Sequence, residues 1–195
     1  MRITRHVMYK EIFDALPLPL TGTILGIDSL KYFRGSKNLI LDRVIIAKDA
    51  SITETQYPDV NMLSLPYADS TFDVVISDQV LEHIEGDPYQ AVEESRRVLK
   101  PEGIAIHTSV CIHPIHWGPK DMWRFTPDGL RYLCRNFSQI VICGSWGNRW
   151  AHALFFLYDG TRDWKVPVFH WHPIRILASR NDPAFPLTVW IIARK

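Results

Sequence analysis

Apolar and polar positions follow two different periods along this chain. Met8, Ile12 and Leu16 recur at fourfold spacing, with Val7 and Phe13 widening the stripe, which predicts a helix over the first fifteen or so residues. Pro17 and Pro19 stop it. Thr21 to Ile27 is short, apolar and rich in β-branched residues, the pattern of a buried strand. From Asp28 to Ser51 no period dominates, and Ile40 to Ile46 reads equally as helix or strand. Ile52 to Tyr57, Val60 to Leu63 and Phe72 to Ser77 then predict three strands. Asp87-Pro88-Tyr89-Gln90 predicts a helix start, with an N-cap carboxylate, proline at the first helical position and glutamine at the capping-box position. Ala91, Val92, Ser95, Val98 and Leu99 form that helix's inner face, and a turn at Lys100 to Gly103 leads into a strand from Ile104 to Val110. Thr126-Pro127-Asp128 opens another helix with Leu130, Leu133, Cys134 and Phe137 inward, and strands return at Ile140 to Cys143 and Leu187 to Ala193. Strands alternating with helices predict one α/β domain on a parallel sheet, spanning 1–195 without linker or repeat.

Composition narrows the function. Twenty-two basic residues against twenty-one acidic leave a net charge of +1 with no basic block, which argues against a duplex nucleic-acid binder. No apolar run approaches the ~20 residues of a membrane span. The start, MRITRHVMYKEIF, is charged throughout and is not expected to act as a signal peptide. Cys111, Cys134 and Cys143 are an odd set without CxxC spacing, as expected of reduced cysteines in a cytoplasmic protein.

The stretch from Leu65 to Gly103, LPYADSTFDVVISDQVLEHIEGDPYQAVEESRRVLKPEG, resembles the middle of a class I S-adenosylmethionine-dependent methyltransferase of the type 11 kind. It has that family's Leu-Pro-aromatic turn, Phe-Asp and apolar strand, Leu-Glu-His turn, and helix ending in Arg-Val-Leu-Lys-Pro, with Glu102 in place of the first of two glycines. PKDMWRFTPDGLRYL (Pro119 to Leu133) and SWGN (Ser145 to Asn148) are similar to a branch linked with polysaccharide and glycan pathways. The resemblance implies a Rossmann-like, doubly wound sheet of about seven mostly parallel strands, the last antiparallel, with S-adenosylmethionine as cofactor and a small-molecule or glycan acceptor. Residues 1–20 are then a lead-in, and 150–186 an aromatic-rich insertion before the last strand, expected to form a lid, a homodimer contact or a surface excursion.

In such a sheet ligands sit beyond the carboxyl ends of the strands. Asp78, Gln79 and Val80 follow FDVVIS and are expected to line the cofactor crevice, although Asp78 also suits a simple turn cap. Asn61 stands where the family has an acid facing the adenine amino group, with Met62 or Leu63 packing on the purine. For the ribose hydroxyls Glu54 is the candidate, with Gln56 or Asp49 if the register slips, because a carboxylate accepts from both hydroxyls. The glycine-rich loop is the main departure. In Leu25-Gly26-Ile27-Asp28-Ser29-Leu30, Gly26 replaces the family's acid, and Asp28 and Leu30 replace glycines. Asp28 tolerates a left-handed backbone better than most residues and offers a carboxylate to the cofactor's ammonium; otherwise the pocket is blocked.

After the strand ending at Val110, His113, His116 and Trp117, then Asp121, Trp123 and Arg124, form a polar aromatic cluster. His116 is the first candidate base, His113 the second and His83 of the Leu-Glu-His turn the third. Arg124 suits an anionic group, and Trp117 or Trp123 a sugar face. Two other functions remain open: a binding module that keeps the fold without catalysis, and a metal-dependent hydrolase suggested by His113-x-x-His116 and His170-x-His172. Eight histidines make such pairs common by chance, no HExxH is present, and no metal ligand is assigned.

Overall fold

The computed structural model describes residues 1–34, 44–116 and 120–195. The sheet among them has β1 (Thr23–Ile27), β2 (Ser51–Thr55), β3 (Phe72–Asp78), β4 (Leu99–Val110), β5 (Gln139–Trp146) and β6 (Thr188–Arg194), in the order β2-β1-β3-β4-β6-β5. β1 pairs parallel with β2 and β3, β3 parallel with β4, and β6 runs antiparallel to both β4 and β5. Six strands therefore stand where about seven are expected. The missing one is Val60 to Leu63, which lies in turns closed by Val60 N–H to Gln56 O and Ser64 N–H to Asn61 O. A four-residue apolar run beside Pro58 is short enough for local turn hydrogen bonds to win over a sheet edge. Positions 40–43 of the helix-or-strand run lie outside the described residues.

Both faces of the sheet are covered, and the strands' alternation sorts the core. Ile24, Ile76, Ile106 and Trp190 pack with Ile3, Met8, Ile12 and Phe13 of α1 (Ile3–Ala15). Leu25, Val75, Ala105 and Ile191 pack on the other side with Ala91, Val92 and Val98 of α3 (Pro88–Val98) and Leu130 and Leu133 of α4 (Pro127–Leu133). A short α2 (Lys31–Arg34) follows β1. The N-caps form as the residues dictate: Asp87 accepts from Tyr89 N–H and Thr126 from Gly129 N–H. Gln90 does not close a capping box; its amide donates to Leu63 O at 2.9 Å and ties α3 to the turn that replaces the expected strand. Lys100 to Gly103 is not a separate turn either. Leu99 already pairs with Phe72, the register shifts before Val74, and Glu102 takes φ +64, so the segment is a bulge within β4.

The insertion supplies α5 (Arg149–Leu157) and α6 (Pro173–Ser179), and leaves Trp150, Phe156, Leu157, Tyr158, Phe169 and Trp171 exposed. It departs and returns at one point. Asp182 N–H donates to Gly147 O at 2.7 Å, Gly147 N–H to Asn181 Oδ1 at 3.1 Å, and Leu187 N–H to Trp146 O at 2.8 Å. A Cβ on Gly147 would lie 2.1 Å from Phe185 O, so only glycine allows this approach. Asn148 of the SWGN motif caps α5 and donates its amide to Leu177 O and Arg180 O, which makes that motif a clasp for the insertion. No helix among the described residues is long and apolar enough to cross a membrane.

One buried group sets an acid limit. His107 on β4 is fully buried, with Nδ1 2.7 Å from Ser77 Oγ, and burial pushes its pKa down to about 4. The unfolded chain, titrating near its ordinary ~6.5, binds more protons in between, so stability is full above that value and falls as pH drops toward 4. Urea unfolding is expected to show about 2 kcal/mol less stability at pH 5 than at pH 7 from this group. In His107→Gln the pH slope should flatten by that amount, and an unchanged slope would refute the assignment.

Candidate functional site

Two cavities open where β1, β3 and β4 end. The first, about 170 Å³, is lined by Ile27 and Asp28 after β1, Asn61 and Met62 from the following turns, and Gln79 and Val80 after β3. The second, about 290 Å³, is lined by Arg5 of α1, Gln79, Glu82, Val110, His113 and His116. Gln79 borders both. It holds φ +60, and its backbone and side-chain N–H groups both donate to Thr108 Oγ1 at 3.0 Å. A non-glycine residue held in that region by its partners is an over-determined corner.

The expected cofactor residues divide. Asp28 takes φ +70, adopting the conformation of the glycine it replaces, with its N–H bonded to Thr55 O. Met62 is buried under the first cavity, beside Ile27. Asn61 lines it too, but its Oδ1 accepts from Leu63 N–H at 2.9 Å, an Asx turn rather than a free acceptor. Glu54 does not line it: one oxygen accepts from Leu30 N–H at 2.9 Å and the other pairs with Arg34 at 2.8 Å. The carboxylates that do reach this cavity are Asp28 and Glu85. Gly26 lies beneath Leu30, whose Cγ would be 2.4 Å from a Cβ there. The family's acid could not be restored at this position without moving a fully buried leucine.

Asp78 is buried and already engaged. It accepts from the Tyr9 hydroxyl, from Thr108 Oγ1 at 2.7 Å and from Arg5 Nη1 at 3.3 Å. Burial works against the Arg5 charge, but the Tyr9 and Asp78 oxygens more than offset it, and Arg5 stays cationic. Burial and Asp78 hold the Tyr9 phenol well above its ordinary range. Sequence reasoning missed Arg5 and Tyr9. Their trace was a charge and a hydroxyl four residues apart on a helix otherwise read only for its apolar stripe.

On the second cavity, His116 Nε2 lies 3.3 Å from His83 Nε2 and the His113 ring 5.2 Å from the His116 ring. Burial pushes His113 and His116 below their ordinary values, so both are neutral at pH 7. Glu82 is fully buried; Oε2 accepts from Ser109 Oγ at 2.7 Å, and burial raises its carboxyl. Its backbone oxygen accepts from Met122 and Trp123 N–H, which fastens the loop after β4 to the turn after β3. Asp121, Trp123 and Arg124 do not line the cavity. Arg124 forks onto Asp121 and donates to His113 O and Pro114 O, holding the histidine loop in shape. Asp121, well below the usual carboxylate range because of Arg124, also accepts from His116 N–H at 3.0 Å. Trp123 donates to Ile84 O at 2.9 Å. Trp117 lies outside the described residues.

Residues 20–107 match a family model described as a methyltransferase domain. An uncharacterized methyltransferase of Schizosaccharomyces pombe is 30% identical over 98 residues, covering 48% of this chain and 35% of that protein. The chain spans about a third or less of the length of the curated relatives it matches. A chain from the Haloferax volcanii complex of the Trm112 methyltransferase activator superposes with a TM-score of 0.59 at 17% identity, over 98% of this chain and 89% of that one. Haemonchus contortus phosphoethanolamine N-methyltransferase 2, solved in complex with S-adenosyl-L-methionine, superposes with a TM-score of 0.56 at 14% identity, over 98% and 52%.

Proposed function

Since this chain has the class I methyltransferase fold, we propose that it is an S-adenosylmethionine-dependent methyltransferase acting on a small, hydroxylated, glycan-like acceptor. The observation that carries this reading is Gln79, the shared wall of an apolar cavity and a polar one at the ligand-binding edge of the sheet.

The residues present fit the cofactor, by a partly different set from the family's. Ile27, Met62 and Val80 form an apolar slot for a purine, and Asp28 and Glu85 offer acceptors for ribose hydroxyls. At the amino-acid end, where Leu30 fills the usual hollow, Arg5 supplies a cation for the carboxylate from the second cavity. When bound, the cofactor supplies an activated methyl group on a sulfonium. The chain's task is to align the acceptor and exclude water, and such positioning is worth ~7–11 kcal/mol. His113 faces the acceptor cavity as a neutral imidazole and can take a hydroxyl proton there.

Calorimetric titration with S-adenosylhomocysteine is expected to show saturable one-to-one binding. No heat with folded protein at millimolar ligand would reject the reading. It would favour instead a module that kept the fold and lost the cofactor, the alternative that Leu30 over Gly26 supports.

A further inference from the structure

Glu82, His83 and His116 come from two separate segments, the turn after β3 and the loop after β4. One ligating atom from each lies within 4.8 Å of the others. Glu82 is completely buried, and its Oε1 has no hydrogen-bond partner among the described residues. A carboxylate oxygen left unpaired in a dry interior is costly, so it points to a missing partner of positive charge.

The histidines carry the same implication. His83 Nδ1 sits 3.0 Å from the carbonyl oxygen of Lys120, and a carbonyl only accepts, so this nitrogen carries the proton. His116 Nδ1 is buried without a hydrogen-bond partner among the described residues, although Asp121 Oδ2, held by Arg124, lies 3.1 Å away. His83 therefore presents its Nε2 lone pair toward His116 Nε2 across 3.3 Å. That lone pair takes either a proton from His116 or a cation shared with Glu82 Oε1, which also has no partner among the described residues. His83, with its far nitrogen pinned by a backbone carbonyl, has the usual arrangement of a metal-ligating histidine.

We propose that Glu82, His83 and His116 bind one divalent transition-metal ion. Two imidazole nitrogens and one carboxylate oxygen suit zinc, iron, cobalt or manganese and leave coordination positions open. Glu82 and His116 line the acceptor cavity, so the open positions face it. Resting on the methyltransferase reading, a further role follows. The ion coordinates an acceptor oxygen, lowers its pKa and holds it beside the cofactor cavity, so the acceptor is an alcohol or phenol rather than an amine. His83 and His116 are then ligands, and His113 remains the imidazole available to take the proton.

The test uses the full chain, stripped with chelator and titrated with cobalt(II) chloride by calorimetry and visible absorption. One equivalent is expected to bind, with d–d bands of a nitrogen–oxygen site. His116→Ala and His83→Ala should abolish the bands, and Glu82→Gln, which keeps the Ser109 hydrogen bond, should weaken binding at least about tenfold. His170→Ala, at an exposed histidine, should change nothing. Circular dichroism on each variant checks that the chain is folded. No saturable binding by the wild type, or bands that survive His116→Ala, overturns the proposal and leaves a proton shared between the two rings as the cation. S-adenosylhomocysteine titrated into the metal-free protein is read separately, so failure of the metal site and failure of the cofactor reading are told apart.

Discussion

Asp78→Ala is expected to cost about 3–5 kcal/mol of stability, the largest loss of any single change at this site. The substitution removes the acceptor of the Tyr9 hydroxyl, of Thr108 and of the Arg5 guanidinium together. Arg5 keeps its charge in a setting where only 19% of its side chain meets solvent, and no second carboxylate pairs with it among the described residues. Breaking one side of a buried ion pair is far worse than removing both, because the survivor stays desolvated and uncompensated. Asp78→Leu combined with Arg5→Leu should therefore recover much of the loss, and the cycle should show strong coupling. Thermal unfolding should place Asp78→Ala roughly 10 °C below the wild type. A loss below about 1 kcal/mol would mean that Arg5 behaves as a surface charge. Because α1 reaches the sheet's ligand edge through this cluster, S-adenosylhomocysteine binding should fall along with stability.

Val80→Trp is expected to abolish S-adenosylhomocysteine binding, with affinity down at least roughly a hundredfold, or about 2.7 kcal/mol. Val80 lines the first cavity and is only partly buried, so an indole extends into a space of about 170 Å³ rather than into the packed core. Stability should hold near the wild type because no core contact is overpacked. Calorimetry that finds unchanged affinity would place the adenosyl group elsewhere.

Much of the fold was legible because periodic burial and local caps agreed. β3 and β4 are buried on both faces and read as apolar runs, and Asp87-Pro88 and Thr126-Pro127 announced their helices. Val60 to Leu63 was misread because a short apolar run looks the same in a turn as in a strand. The bulge at Glu102 was hidden because nothing local distinguishes it from a hairpin-like turn; pairing with Phe72 decides it. At the site, the places of Asp28 and Gln79 on the cavity walls were legible because they follow strand ends, and that of His116 because it lies in the loop after β4. Glu54 and Asp78 stand off the cavity walls for one reason: a carboxylate at a strand end attracts whatever donor the tertiary structure brings. Here those donors are Leu30 N–H and Arg34 in one case, and α1 in the other. Such partners are remote in sequence and leave no periodic mark.

The pinch at Gly147 also shapes how this protein can diversify. With both ends of the excursion fixed against each other, its exposed stretch from Val168 to Trp171 can grow, shrink or be exchanged while β5 and β6 keep their register. Doubling the length of such a closed segment costs only about 0.6 kcal/mol in chain entropy. Mutational drift is therefore cheap at its exposed positions, such as Phe156, Val168, Phe169 and Trp171, and expensive at the clasp and at the buried Ala151, Phe155 and Ala178. Because Arg162 and Asp163 of the excursion also line the second cavity, changes there reach the acceptor side of the sheet's edge as well as the exterior.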